Sequence, residues 1–140
     1  MASQTFSQTP VLVISMATRK PGMSLAEFKR LYETKHAPLV TSLIARSAEN
    51  PAEIQPLTYT RCYVDDTVYP GAPPVGVPRS DYDCVSFLTF RSVQHRDEYF
   101  KEQSKHTAAI TEDAKAMADV EKILFVTGQA FDSRVLDVLE

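Results

Sequence analysis

Long apolar runs, surplus basic charge and cysteine are all scarce in this chain of 140 residues. No stretch approaches the roughly 20 apolar residues needed to cross a bilayer, so no membrane span is expected. The formal net charge is -3, from 15 Lys and Arg against 18 Asp and Glu, and the basic residues form no run. That balance speaks against nucleic acid as a partner, because such a protein needs a basic face to displace counterions from phosphates. Two cysteines, Cys62 and Cys84, are too few for a disulfide scaffold. Both lie in apolar, strand-like runs, so two buried thiols in a cytoplasmic protein are expected. There is no glycine-rich phosphate loop and no nucleophile elbow. The three histidines, His36, His95 and His106, stand far apart with no paired-ligand motif. Neither a metal nor a cofactor is therefore expected.

What is present reads as one domain with a real core. Residues 1–10 are polar, without the basic start and apolar middle of a signal peptide, and are expected to be a short disordered leader. The domain proper spans 11–131, and 132–140 is an apolar tail. Residues 11–17 are a buried strand, closed by the turn Arg19–Gly22. Ser24 caps a helix, with Glu27 completing a capping box. Leu25, Phe28, Tyr32, Leu39 and Leu43 fall in one stripe of that helix, and Pro38 should bend or restart it. Asn50, Pro51 and Pro56 mark a loop before a second strand over 57–64. From Asp65 to Ser80 come four prolines and two glycines, a long loop with Tyr69 as its only aromatic residue; loops of this length are usually lids, binding loops or disordered. A third strand covers 82–90. Ser92 caps a helix through about Gln103 that turns Tyr99 and Phe100 inward. After a break at 104–106, a second helical piece turns Ala109, Ile110, Ala114 and Met117 inward. The last strand covers 122–131.

The order βαββαβ is the signature of a ferredoxin-like α+β fold: four strands in one antiparallel sheet with helices on one face. Strands one, three and four are apolar at odd and even positions alike. A sheet covered by helices on one side only should show water its other face. Two such sheets packed face to face would bury it, giving a homodimer with a barrel between subunits.

His36 is the most informative polar residue, near the middle of the apolar stripe and one turn past Tyr32. A single inward histidine is more often a satisfied core residue than a catalyst. The neighbouring tyrosine and the opening at Pro38 set beside that reading a proton shuttle, since imidazole titrates near neutral pH, and both stay open. Asp81 and Asp83 begin the third strand; they are either a solvated strand end or a source of the carboxylate that orients His36. Tyr59, Arg61 and Tyr63 share one face of the second strand and either line a pocket or make cross-strand pairs. His106, at the helix break, faces the cleft or caps a helix, while His95 is expected to be exposed.

Residues Arg19 to Phe28, continuing through His36-Ala-Pro-Leu to Val40, resemble the EthD family. A second, looser similarity runs from Asp81 through Phe90 and on to Glu112–Asp119, with Met117 where the family commonly has an aromatic residue. The resemblance implies a dimeric α+β barrel. Members with a proline-rich loop between strands two and three serve fungal aromatic polyketide pathways as cofactor-free decarboxylases or related lyases on anthrone-type carboxylic acids. Carried over, His36 becomes the acid/base and Asp83 its candidate partner; His106 is a further catalytic candidate from its place at the helix break alone. Phe28, Tyr32, Tyr59, Tyr63 and Tyr69 would contact the aromatic polyketide substrate. The wider superfamily also holds cyclases, cofactor-independent oxygenases and haem-binding enzymes, so the fold does not select the reaction. The alternatives are a cyclase or dehydratase, an oxygenase of anthrones or hydroquinones, and a non-catalytic binding module.

Overall fold

The computed structural model describes residues 10–65 and 80–131. Four strands, β1 (Val11–Ala17), β2 (Thr58–Tyr63), β3 (Cys84–Phe90) and β4 (Leu124–Gln129), form one sheet in the order β2-β3-β1-β4. Every neighbouring pair is antiparallel. The ferredoxin-like α+β arrangement expected from the sequence is thus the observed one. On one side of the sheet lie α1 (Leu25–Leu31), α2 (Ala37–Ser47), a short α3 (Pro51–Ile54), α4 (Val93–Ser104) and α5 (Thr107–Lys115). No helix among the described residues is long and apolar enough to cross a membrane.

The strand alternation divides the sheet cleanly. Val11, Val13 and Ala17 of β1 and Cys84, Ser86, Leu88 and Phe90 of β3 are buried beneath the helices. Phe28, Tyr32, Val40, Ile44 and Tyr99 come down onto them. The outer face carries Leu12, Ile14 and Met16 of β1, Val85 and Phe87 of β3, and Leu124 and Val126 of β4, as the registers require. Leu124 and Val126 remain about half exposed, at 49% and 50%.

Local sequence explains most boundaries. Lys20 to Met23 close a turn in which Pro21 presets the first corner and Gly22 takes φ +85°. The Ser24 hydroxyl accepts the Glu27 amide and caps α1. The other half of the expected capping box is not made, because the Glu27 carboxylate bonds Arg30. Ser92 caps α4 through the His95 amide.

Several expectations need correction. Leu39 and Leu43 are only half buried, and Val40 and Ile44 take the core positions. The cause is a π-helical turn over Tyr32–His36, which adds a residue to the turn and advances the inward register by one. Ala109 is exposed. Cys84 is buried but Cys62 is exposed, because it falls on the outer face of β2. His95 is buried rather than exposed, at 4%. Its Nδ1 accepts the Arg91 amide at 3.1 Å, and Nε2 donates to the carbonyls of Ile54 (3.2 Å) and Gln55 (2.9 Å). One ring therefore ties α4 to the segment that leads into β2. The leader through residue 9, loop residues 66–79 with Tyr69, and the tail 132–140 lie outside the described residues. Replacing His95 with Ala deletes a buried ring and orphans three backbone groups. It should cost about 2–3 kcal/mol in a urea unfolding titration.

Candidate active site

Pro38 has no amide hydrogen, and its ring would crowd the carbonyl four residues back in a regular helix. The chain widens ahead of it. The Ala37 amide reaches back to the Tyr32 carbonyl, five residues away, and α2 restarts with Pro38 in its first turn. Tyr32 and His36 bracket this π-helical turn and point the same way, with ring centroids 5.4 Å apart in an edge-to-face contact.

Both side chains line a cavity of about 620 Å³ between the sheet and the helices. Ser15, Ala17, Tyr59, Leu88 and Phe125 supply its sheet wall. Tyr99, Phe100 and Gln103 of α4 and Thr107, Ile110 and Thr111 of α5 supply the opposite wall. Among the described residues lining it there is no Lys, Arg, Asp or Glu, so His36 is its one ionisable group apart from tyrosines.

Behind His36 stands Asp113 of α5. Its Oδ2 lies 2.8 Å from Nδ1 of His36, and the two side chains are 12% and 9% exposed. The other carboxylate oxygen of Asp113 lies 3.5 Å from the ammonium of Lys35, which is itself exposed. A carboxylate on Nδ1 fixes the ring tautomer with the proton at that atom. Nε2 then carries the lone pair or the exchangeable proton, and among the described residues nothing else bonds it. This is the orienting arrangement an acid/base histidine requires.

A second polar feature crosses the cavity floor. The hydroxyls of Tyr32 and Tyr59 are 3.1 Å apart, and that of Tyr32 is 3.4 Å from Ser86 Oγ. Burial pushes the Tyr32 and Tyr59 phenols well above their ordinary range and raises Tyr99 to about 12. Burial likewise raises the Cys84 thiol to about 11. All four stay protonated at neutral pH and serve as neutral hydrogen-bonding groups.

The EthD domain family matches residues 20–121 of the chain. The chain belongs to the EthD family. Among solved structures it is similar to an EthD-family protein from Bacillus halodurans, at 14% identity, 87% of this chain, 99% of that one and a TM-score of 0.55. It is similar to an EthD-like protein from Ralstonia eutropha at 16% identity, 88% of this chain, 91% of that one and a TM-score of 0.55. Likeness at that level shows a shared fold. A weaker similarity, with 11% identity, 90% and 96% coverage and a TM-score of 0.48, is to SnoaB, a cofactor-independent oxygenase from Streptomyces nogalater. At that score it carries no argument about chemistry. No curated protein matches significantly.

The EthD frame brings together some of the residues singled out from sequence and separates others. His36, Tyr32 and Tyr59 meet in the cavity. Asp83 does not reach His36: its carboxylate accepts the Arg19 amide at 2.8 Å and lies beside that residue's guanidinium, pinning the end of β1 to the start of β3. Asp81 lines the same surface cleft near the Arg19–Gly22 turn. The carboxylate at His36 is Asp113 instead. His106 turns outward, with Nε2 2.7 Å from Ser47 Oγ, and Ser47 in turn donates to Glu102. Phe28 is wholly buried in the core, edge-on to Tyr32 and Tyr63. The Tyr63 hydroxyl is drawn aside to Glu33, which also holds Arg61. That Arg61 hydrogen bond, with the one from Tyr63, lowers the Glu33 carboxyl below its ordinary range.

Asp113 has a signal in the sequence. Ile110, Ala114 and Met117 mark the inward stripe of α5, and an aspartate three residues after Ile110 sits on that same stripe. An acidic residue on a buried face needs a partner, and an inward histidine on the facing helix supplies it.

Because burial raises the folded-state values of Tyr32, Tyr59 and Tyr99 above the unfolded value near 10, their contribution to stability is complete below pH ~10. It is lost as pH rises toward about 12, the value for Tyr99. Unfolding free energy should thus fall above pH ~10, by up to ~1.4 kcal/mol per pH unit for each phenol released. Tyrosinate absorbance from these three should appear with unfolding and not before it.

Proposed function

We propose that this EthD protein is a cofactor-free lyase that removes carbon dioxide from an aromatic polyketide acid of the anthrone-carboxylic type. The observation that carries the reading is the His36–Asp113 pair on the wall of an otherwise uncharged, largely apolar cavity. Among the described lining residues an aryl carboxylate entering there meets no Lys or Arg, and it leaves its water behind, which raises its ground-state energy. The one cation those residues offer it is the imidazolium form of His36, held by Asp113.

In the step we propose, Nε2 of His36 delivers its proton to the ring carbon that bears the carboxylate. The bond from that carbon to the carboxyl carbon breaks, carbon dioxide departs, and the ring recovers its aromatic electrons. The imidazole then takes a proton from solvent, so one carboxylate and one proton give one arene and one carbon dioxide. Asp113 holds the tautomer and offsets the imidazolium charge, acting through His36 without touching substrate. Dehydration or cyclisation would use the same group as a base beside a carbonyl. Both cysteines are free thiols, the state a reducing cytoplasm maintains, and that is the compartment we propose.

The protein works, in this reading, as a homodimer. Its outer sheet face presents Leu12, Ile14, Phe87, Leu124 and Val126 with nothing of the described chain over them. A contiguous apolar face of this kind marks an interface, and a second copy supplies a matching one. Sedimentation should give a dimer for the natural chain, and Val126→Lys, which sets a charge opposite Ile14, should give a folded monomer.

The activity test is anaerobic incubation with a panel of aromatic polyketide acids, read by mass spectrometry. The natural protein should release carbon dioxide. His36→Ala should lower the rate by roughly 10³-fold and Asp113→Asn by about 10²-fold, both with unchanged melting cooperativity. Turnover that appears only once air is admitted would make the protein an oxygenase. Silence in both atmospheres would make it a binding module.

A further inference from the structure

Beneath the cavity floor the polar side chains form a continuous line. Cys84 Sγ lies 3.6 Å from Ser86 Oγ, Ser86 Oγ lies 3.4 Å from the Tyr32 hydroxyl, and that hydroxyl lies 3.1 Å from the Tyr59 hydroxyl. Four groups each carry one proton, and three contacts join them. When every bond runs the same way, one proton is left over at an end of the line. One end is Cys84, at 1% exposure next to Ser86 at 1%, where no water or ligand can reach. The other end is Tyr59, which is only partly buried and lines the cavity. A proton left over at the buried thiol end would find no acceptor, whereas one left over at Tyr59 can be given to whatever enters the cavity, so the line runs from Cys84 toward Tyr59.

The ring of Tyr59 is held for this role. The guanidinium of Arg61 lies over its face, 4.6 Å from the centroid, and donates to Glu33. A cation on the ring face draws electron density from the phenol and strengthens its O–H as a donor. Tyr32 meanwhile sits beside His36, so the donor and the proton-transfer group address neighbouring parts of one ligand.

We infer that Tyr59 reads an oxygen on the substrate: it donates its hydroxyl proton to a ketone or phenol oxygen adjacent to the carboxyl group held at His36. Ser86 and Tyr32 are positioning residues that orient that donor. The inference rests on the proposed acid-cleaving function and deepens it, restricting the substrate class to ortho-oxygenated aryl acids. During carbon dioxide loss the same oxygen accepts the electron pair of the breaking bond in the keto form, so the contact tightens in the transition state.

The test is equilibrium binding of two probes by the full chain, with each acid checked as intact by mass spectrometry after the titration: an ortho-hydroxynaphthoic acid and the naphthoic acid lacking the hydroxyl. The natural protein should prefer the hydroxylated acid by roughly tenfold, the size expected from the net contribution of one hydrogen bond. Tyr59→Phe should bind both acids alike, and bind the plain acid as tightly as the natural protein does. Ser86→Ala keeps the Tyr59 hydroxyl but cuts the line behind it, and should reduce the preference to about threefold. A preference that survives Tyr59→Phe, or equal binding of both acids by the natural protein, would overturn the inference and leave the acid cavity intact. Failure of the natural protein to bind either acid would remove the acid cavity itself, and this inference with it.

Discussion

Pro38 cannot donate the hydrogen bond that a regular helix demands at its position, and the site is built around that constraint. The helix absorbs it by widening over Tyr32–His36. Every inward side chain after the widening is displaced by one residue, which puts Val40 and Ile44 into the core. It also leaves Tyr32 and His36 stacked edge to face over open space. A straight helix with the same sequence would carry the stripe through Leu39 and Leu43. Helical turns of this wider kind recur at functional sites, and here the backbone irregularity has a named cause in one proline.

The chemistry follows from what surrounds that turn. Asp113 reaches His36 from the facing helix, and Lys35 balances the other carboxylate oxygen. On the cavity side the described residues supply aromatic, aliphatic and neutral polar groups. A single orientable acid/base group in such a space suits proton transfer to or from a bound carbon acid.

Strand positions, the Ser24 and Ser92 caps and the helix break before Thr107 were legible because each depends on a few adjacent residues. The four-stranded antiparallel sheet followed from the βαββαβ succession. Side-chain partnerships across distant segments were harder to see. The EthD resemblance made Asp83 the partner of His36, yet the Arg19 amide just past β1 captures its carboxylate. His95 lies in a polar stretch and reads as exposed, whereas two carbonyls near α3 draw it inside. Tyr63 shares a face with Tyr59 but is pulled toward Glu33. In each case a backbone or side-chain group far away in sequence decides the orientation, and no local pattern records it.

The central claim is that Asp113 fixes His36 with its proton on Nδ1, so that Nε2 faces the ligand. Nitrogen-15 resonances of labelled histidine, recorded with and without an aryl carboxylate probe, test it most directly. The account predicts a proton on Nδ1 of His36 throughout, a change in the Nε2 resonance on adding the probe, and loss of the Nδ1 preference in Asp113→Asn. A ring protonated at Nε2 alone, or a His36 signal indifferent to the probe, would contradict it.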